Sequence, residues 1–170
     1  MRISEQAIQL LKELEGFRSA AYKDSAGVLT IGYGTTGDWI TSQSKVTKED
    51  ADKLLRKHVL LCEAALSNNV KVSLDQNEFD ALCCFIYNIG VQEFKESTLL
   101  ELLNQAHYDK VPAQLRRWNK IKRNGIHVVD KGLVNRREKE IILWNQTPPT
   151  ILQQTQNWLN NAFSLLKKIK

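Results

Sequence analysis

A glutamate, an aspartate nine residues later and a threonine six residues beyond that lie in one short run of this chain: Glu15, Asp24 and Thr30, leading into Thr30-Ile31-Gly32-Tyr33-Gly34. Two carboxyl groups beside a hydroxyl suit the cleavage of an acetal. One carboxylic acid protonates the leaving oxygen, while a carboxylate on the other side orients a water or meets the positive charge developing at the sugar carbon. Each residue also has an ordinary reading, because Glu and Asp are common near helix ends and turns. Gly32-Tyr33-Gly34 alone signals only tight backbone, since it lacks the helix setting of a nucleotide-binding fingerprint.

Local structure must bring the three together. Apolar Ile3, Ala7, Ile8, Leu10, Leu11 and Leu14 recur at helical spacing, which predicts an amphipathic helix over residues 4–15, capped by Ser4 and ended by Gly16. Glu15 then sits in the last turn. The negative end of the helix dipole favours the protonated carboxyl that a general acid needs. Residues 17–23, the turn-rich Asp24-Ser25-Ala26-Gly27 and residues 28–33 predict a hairpin, with Asp24 at its bend and Thr30 on the returning strand.

The ungapped order Glu15, Asp24, Thr30 and Thr-Ile-Gly-Tyr-Gly closely resembles the catalytic region of the phage-type lysozymes. This endolysin family (glycoside hydrolase family 24) is typified by the lysozyme of bacteriophage T4 and shared by lambdoid phages such as P22 and P21. A second stretch, Gly132-Leu133-Val134-Asn135-Arg136-Arg137-Glu138, resembles the family's Gly-Leu followed by paired arginines and a glutamate. The resemblance covers residues 3–146. It implies an α+β, lysozyme-like fold: a small lobe with a short β-hairpin or sheet, a larger mostly helical lobe, a long helix joining them, and a cleft between.

By that resemblance Glu15 is the general acid, Asp24 the second carboxylate and Thr30 the residue that helps hold the attacking water. Arg136 is the expected partner of Glu15, Tyr33 and Asn88 are expected to bind substrate, and Arg137 and Glu138 are expected to make structural ion pairs. The family inverts the anomeric centre by single displacement and needs no cofactor or metal. One departure is Thr35-Thr36 after Gly34, where many members carry histidine; the resemblance implies a modified hydrogen-bond arrangement there with activity retained.

Composition sets the frame. A chain of 170 residues, 42% hydrophobic and 25% charged, is long enough for one domain with a real core. With 24 basic and 19 acidic residues the net charge is +5, which favours encounter with a polyanion without choosing among nucleic acid, anionic lipid and an acidic wall. Arg116, Arg117, Lys120, Lys122 and Arg123 form one basic cluster, but neither zinc-ligand spacing nor an RNA-binding aromatic signature accompanies them, so no nucleic-acid partner is expected. Cys62, Cys83 and Cys84 fall in apolar helical patterns and read as free buried thiols, with a disulfide to Cys62 the alternative. No apolar run follows Met1-Arg2 and none approaches membrane-spanning length, so the expectation is accumulation in the host cytoplasm and release to the wall through a separate holin.

Along the rest of the chain, residues 35–46 read as loop, with Trp39 and Ile40 pinning it by packing; Trp39 stacking on sugar is the alternative. Thr47-Lys48-Glu49-Asp50 opens a long helix with the stripe Ala51, Leu54, Leu55, His58, Leu61, Cys62 and Ala65. His58 reads as a structural histidine. Ser73-Leu74-Asp75-Gln76 reads as a second capping box, opening the most apolar helix, which Asn88-Ile89-Gly90 ends. Gly90 to Lys95 reads as a connection anchored by Phe94. A helix from Ser97 and Thr98 through Ala106 follows, then a segment from Asp109 to Trp118 with Pro112 in a first turn, and a basic excursion over 119–132 turning at Asn124-Gly125.

The expected organisation is a lysozyme domain over residues 1–146 (small lobe about 15–60, larger lobe about 70–146 with the N-terminal helix). After the break at Pro148-Pro149 comes an amphipathic extension, so that 147–170 packs on the large lobe, with self-association or a weak membrane contact as alternatives. The expected protein is a monomeric muramidase acting on peptidoglycan glycan strands at the β-1,4 bond between N-acetylmuramic acid and N-acetylglucosamine. Two rivals stand beside it. A lytic transglycosylase would use a sugar hydroxyl in place of water, and a catalytically silent wall-binding protein would use the cleft and basic face for adhesion.

Overall fold

In the computed structural model, which describes residues 1–24, 27–123 and 125–146, the first helix α1 spans Glu5–Glu15. Ser4 caps it by accepting from Ala7 N–H at 3.2 Å, and Ala7, Ile8 and Leu11 form its buried face. Gly16 stops it with φ 68°, a backbone that glycine adopts without strain. Strands β1 (Arg18–Lys23), β2 (Leu29–Gly32) and β3 (Thr35–Thr36) then make a three-stranded antiparallel sheet in sequence order. Sequence reading finds the first two and misses β3. A two-residue edge strand carries no alternation to detect.

Helix α2 (Lys48–Asn69) has 22 residues and so runs about 33 Å. Thr47 caps it by accepting from Asp50 N–H at 3.1 Å. The Asp50 carboxylate takes the Thr47 hydroxyl and pairs with Lys53 rather than reaching back to the cap backbone, so only half of the expected box forms. The helix touches β2 and β3 in the small lobe and α3 (Gln76–Ile89) and α4 (Val91–Lys95) in the large one, and so joins them. Leu61 departs from the expected stripe: it is 60% exposed, and Val59 and Leu66 take the core positions instead.

α3 is the centre of the large lobe. Residues Phe79 to Tyr87 are all buried, and the helix packs on α1, α2, α4 and α7 (Lys131–Trp144). Its cap is Asp75 with Glu78, a reciprocal pair at 2.8 and 2.9 Å, and not Ser73 as the sequence suggests; Ser73 gives its carbonyl to the Tyr108 hydroxyl instead. Asp80 reaches across to the start of α1, accepting from Ser4 N–H at 2.9 Å and from the Ser4 hydroxyl.

Two boundaries differ from expectation. Gly90 to Val91 begins the one-turn helix α4, whose Phe94 is fully buried, as an anchor should be. α5 (Thr98–Asn104) stops two residues early because Ala106 turns left-handed (φ 62°), closing the end with His107 N–H on Leu102 O. A 3-10 turn (Tyr108–Lys110), α6 (Val111–Arg116, with Pro112 in its first turn) and the hairpin β4 (Lys120–Arg123) and β5 (Ile126–Val129) lead to α7, which Asp130 caps. Ser25, Ala26, Asn124 and the extension 147–170 lie outside the described residues, and with them the tip of each expected turn and the role of the tail. Among the described residues, no helix is long and apolar enough to cross a membrane.

The three cysteines are free and fully buried between α2, α3 and α1. Burial pushes the Cys62 thiol up to about 12 and those of Cys83 and Cys84 higher. At about pH 8 the native protein should therefore leave a thiol reagent unconsumed while urea-unfolded protein consumes one equivalent at each cysteine. Rapid reaction of any cysteine in the native state would contradict this core.

Candidate active site

The site is assembled from the C-terminus of α1, the hairpin and α7. Glu15 ends α1 with its side chain 18% exposed, and Arg136 from the middle of α7 donates from Nη1 to Glu15 Oε1 at 2.7 Å. The other oxygen faces the turn after β2. A Cβ built on Gly34 would lie 3.1 Å from Glu15 Oε2, and Gly34 has φ 82°, so both space and backbone call for glycine there. Arg136 thus engages one oxygen of the acid, and the bare backbone at Gly34 leaves room for the other.

Arg136 cannot swing freely, because its remaining donors are engaged. Nε donates to Glu140 Oε1 at 3.2 Å and Nη2 to the Cys84 carbonyl at 3.3 Å. Glu140, with no exposure, also accepts from Arg137 Nη2 at 3.0 Å. Arg137 Nε lies 2.9 Å from the second Glu140 oxygen, close enough to pair yet out of hydrogen-bond alignment. Burial pushes the Glu140 carboxyl up, against the pull of the Arg137 and Arg136 guanidinium groups. Arg137 in turn donates to Asn88 Oδ1 at 2.7 Å and lies over the Phe85 ring. The result is a line of charge from Glu15 through Arg136 and Glu140 to Arg137, which ends on the neutral amide of Asn88.

Asp24 and Thr30 meet at Val28. Asp24 Oδ1 accepts from Val28 N–H at 2.9 Å, its own N–H donates to the Val28 carbonyl at 3.0 Å, and the Thr30 hydroxyl donates to that carbonyl at 3.0 Å. Thr30 is buried and stands opposite Tyr22 on β1 and Thr36 on β3. Its donor is committed, which leaves its oxygen to accept.

The other candidates divide between the protein interior and its surface. Tyr33 is buried, its ring 5.5 Å from Phe17 and its carbonyl accepting from the Tyr87 hydroxyl at 2.9 Å; it packs inward rather than standing open to a ligand. Asn88 is exposed, but its carbonyl oxygen is taken by Arg137, so its amide N–H groups are what it offers outward. Thr35, where a histidine is usual, is the first residue of β3 and pairs with Ile31. His58 stands with its ring 4.4 Å from Tyr87; burial lowers its pKa, partly offset by the charge of Glu15. Glu140 is the residue that sequence reading missed, although its i, i+4 and i, i+3 spacing to Arg136 and Arg137 on a predicted helix could have found it. Among the described residues no cluster of three or more metal-ligating side chains occurs.

Comparisons with known proteins bear on the family and the fold. The phage lysozyme family model matches residues 12–140. An endolysin of Acyrthosiphon pisum secondary endosymbiont phage 1 is 39% identical over 144 residues, covering 85% of this chain and 98% of that one. Among solved structures, the muramidase domain of SpmX from Asticaccaulis excentricus superposes with a TM-score of 0.81 at 35% identity, over 86% of this chain and 99% of that one. The endolysin from Escherichia coli O157:H7 phage FAHEc1 gives the same score and identity over 88% and 98%.

Two measurements check the electrostatics. Arg136→Ala should cost about 3–5 kcal/mol in urea unfolding, because it strips Glu140 of one of its two guanidinium partners. Glu15→Gln should cost far less, since its amide oxygen still accepts from Arg136; equal losses would refute the ordering. For His58, the lowered folded pKa means that the unfolded chain takes up protons first. Its contribution to stability is present above the ordinary value of 6.5 and is lost as pH falls through the folded value. His58→Gln should flatten that part of the stability profile, and an unchanged slope would contradict it.

Proposed function

The chain belongs to the phage lysozyme family, and we propose that Glu15, Asp24 and Thr30 carry out its chemistry at a glycosidic bond. It is a muramidase, a glycoside hydrolase that cleaves the β-1,4 bonds between N-acetylmuramic acid and N-acetylglucosamine in peptidoglycan. The observation that carries the assignment of roles is the asymmetric treatment of the Glu15 carboxyl. Arg136 holds Oε1, and Oε2 faces the bare backbone of Gly34. In the proposed reaction Oε2 bears the proton and gives it to the glycosidic oxygen as the bond breaks.

Asp24 is the proposed second carboxylate. The Val28 N–H fixes one of its oxygens and so its plane. A water donating to Asp24 and to the free acceptor of Thr30 would lie on the face of the sugar away from Glu15. Attack from that face as the leaving group departs inverts the anomeric carbon, giving an α-configured product from a β bond. Asn88, with amide donors turned outward, is the proposed contact for N-acetyl or hydroxyl oxygens. The catalytic unit in this reading is residues 1–146, with 147–170 an appended segment. Action as a monomer on the wall of a lysing host after release by a separate holin belongs to the same reading, supported by the likeness to phage endolysins.

Digestion of purified peptidoglycan, with mass spectrometry of the sugar ends, tests the assignment. Wild type should release reducing muramic ends that are initially α by NMR, and Glu15→Gln should be slower by at least ~100-fold, with Asp24→Asn also severely impaired. Near-wild-type cleavage by either variant would overturn its role. Anhydro ends would replace hydrolysis by transglycosylation.

A further inference from the structure

The small lobe has a groove of about 620 Å³ that neither Glu15, Asp24, Thr30 nor Arg136 lines. Val46 and Leu54 supply apolar lining, and Lys45, Lys53 and Lys57 bring cationic ends to it. The only acid among the described lining residues is Asp50, which Lys53 engages at 2.8 Å, so Lys45 and Lys57 give the groove a net positive field. Trp39 also lines it and is 58% exposed. Sequence reading has Trp39 and Ile40 both pinning this segment, with Trp39 on sugar as the alternative; Ile40 is buried as expected, and Trp39 is not.

The indole is held without being buried. A Cβ on Gly37 would lie 2.7 Å from Trp39 Nε1 and 3.0 Å from its Cδ1, so the ring rests against backbone that only a glycine leaves bare. The Ile40 N–H to Gly37 carbonyl bond closes the turn between them. An aromatic surface beside lysines that make no ion pair among the described residues suits a ligand with apolar faces and carboxylates. Charge also decides against one internal occupant, because the extension beyond residue 146 ends in Lys167, Lys168 and Lys170.

We propose that this groove binds the carboxylate-bearing stem peptides of peptidoglycan, with Trp39 against their methyl groups and Lys45 and Lys57 on their carboxylates. The proposal rests on the muramidase reading for its choice of ligand. It gives the enzyme a second hold on the wall, separate from the glycan cleft, so that peptide-bearing strands are retained in preference to bare ones.

The test uses full-length Glu15→Gln protein, so that binding is read without cleavage. The indole N–H signal of Trp39, identified by its loss in Trp39→Phe, is followed by NMR against an N-acetylmuramyl tetrapeptide, the same peptide with amidated carboxylates, and neutral chitotetraose. The free-acid peptide should shift the signal saturably, and the amidated peptide and chitotetraose should not. Lys45→Ala/Lys57→Ala should weaken binding roughly fivefold or more. Gly37→Ala, which pushes the indole off its seat, should weaken it as well. Equal shifts with chitotetraose would make the groove a sugar subsite. A shift that depends on protein concentration alone would make it a contact between copies, and either result, or no shift at all, overturns the proposal. Wall cleavage by wild type without peptide binding would remove the groove's role and leave the enzyme; peptide binding without cleavage would do the reverse.

Discussion

Glu140 carries a carboxylate with no exposure to water, and two arginines from its own helix converge on it. Taking such groups out of water costs several kcal/mol for each ion, which only close pairing offsets. Their tight placement has a further use. With Nε on Glu140 and Nη2 on the Cys84 carbonyl, Arg136 presents Nη1 to Glu15 in one orientation. The Glu15 carboxyl is therefore held by α7, itself anchored on α3 in the large lobe, although the residues that follow Glu15 form the small one.

Asp24 is held by different means. Its carboxylate is fixed by the hairpin's own backbone at Val28, a bond of short sequence range, and Thr30 is tied to the same residue. The two carboxyls thus belong to separate frameworks, which α2 joins by touching β2 and β3 on one side and α3 and α4 on the other.

Legibility in the sequence followed the range of the interactions. α1 with its Ser4 cap, the hairpin, the long α2 and the apolar α3 are written in spacing and caps, and the structure has them. The Glu15–Arg136 contact was reached only because paired arginines after Gly-Leu resemble a known pattern; no spacing rule links residues so far apart. What was missed is mostly a matter of context. Asp75 displaces Ser73 as a cap because Glu78 completes a reciprocal pair, while Ser73 gives its carbonyl to Tyr108. Leu61 and Trp39 are apolar by type, and only the placement of neighbouring elements leaves them uncovered. Tyr33 sits in a motif that suggests substrate, but Phe17 and Tyr87 draw it inward.

The hydrogen bond between Arg136 and Glu15 spans 121 positions of chain. A contact of that range carries the entropic cost of closing a long loop. During synthesis Glu15 and the hairpin residues emerge first, well before the guanidinium that bonds to Glu15. The arrangement acts as a check on completeness: a chain cut short between the hairpin and α7 carries both carboxyls but lacks the group that holds Glu15.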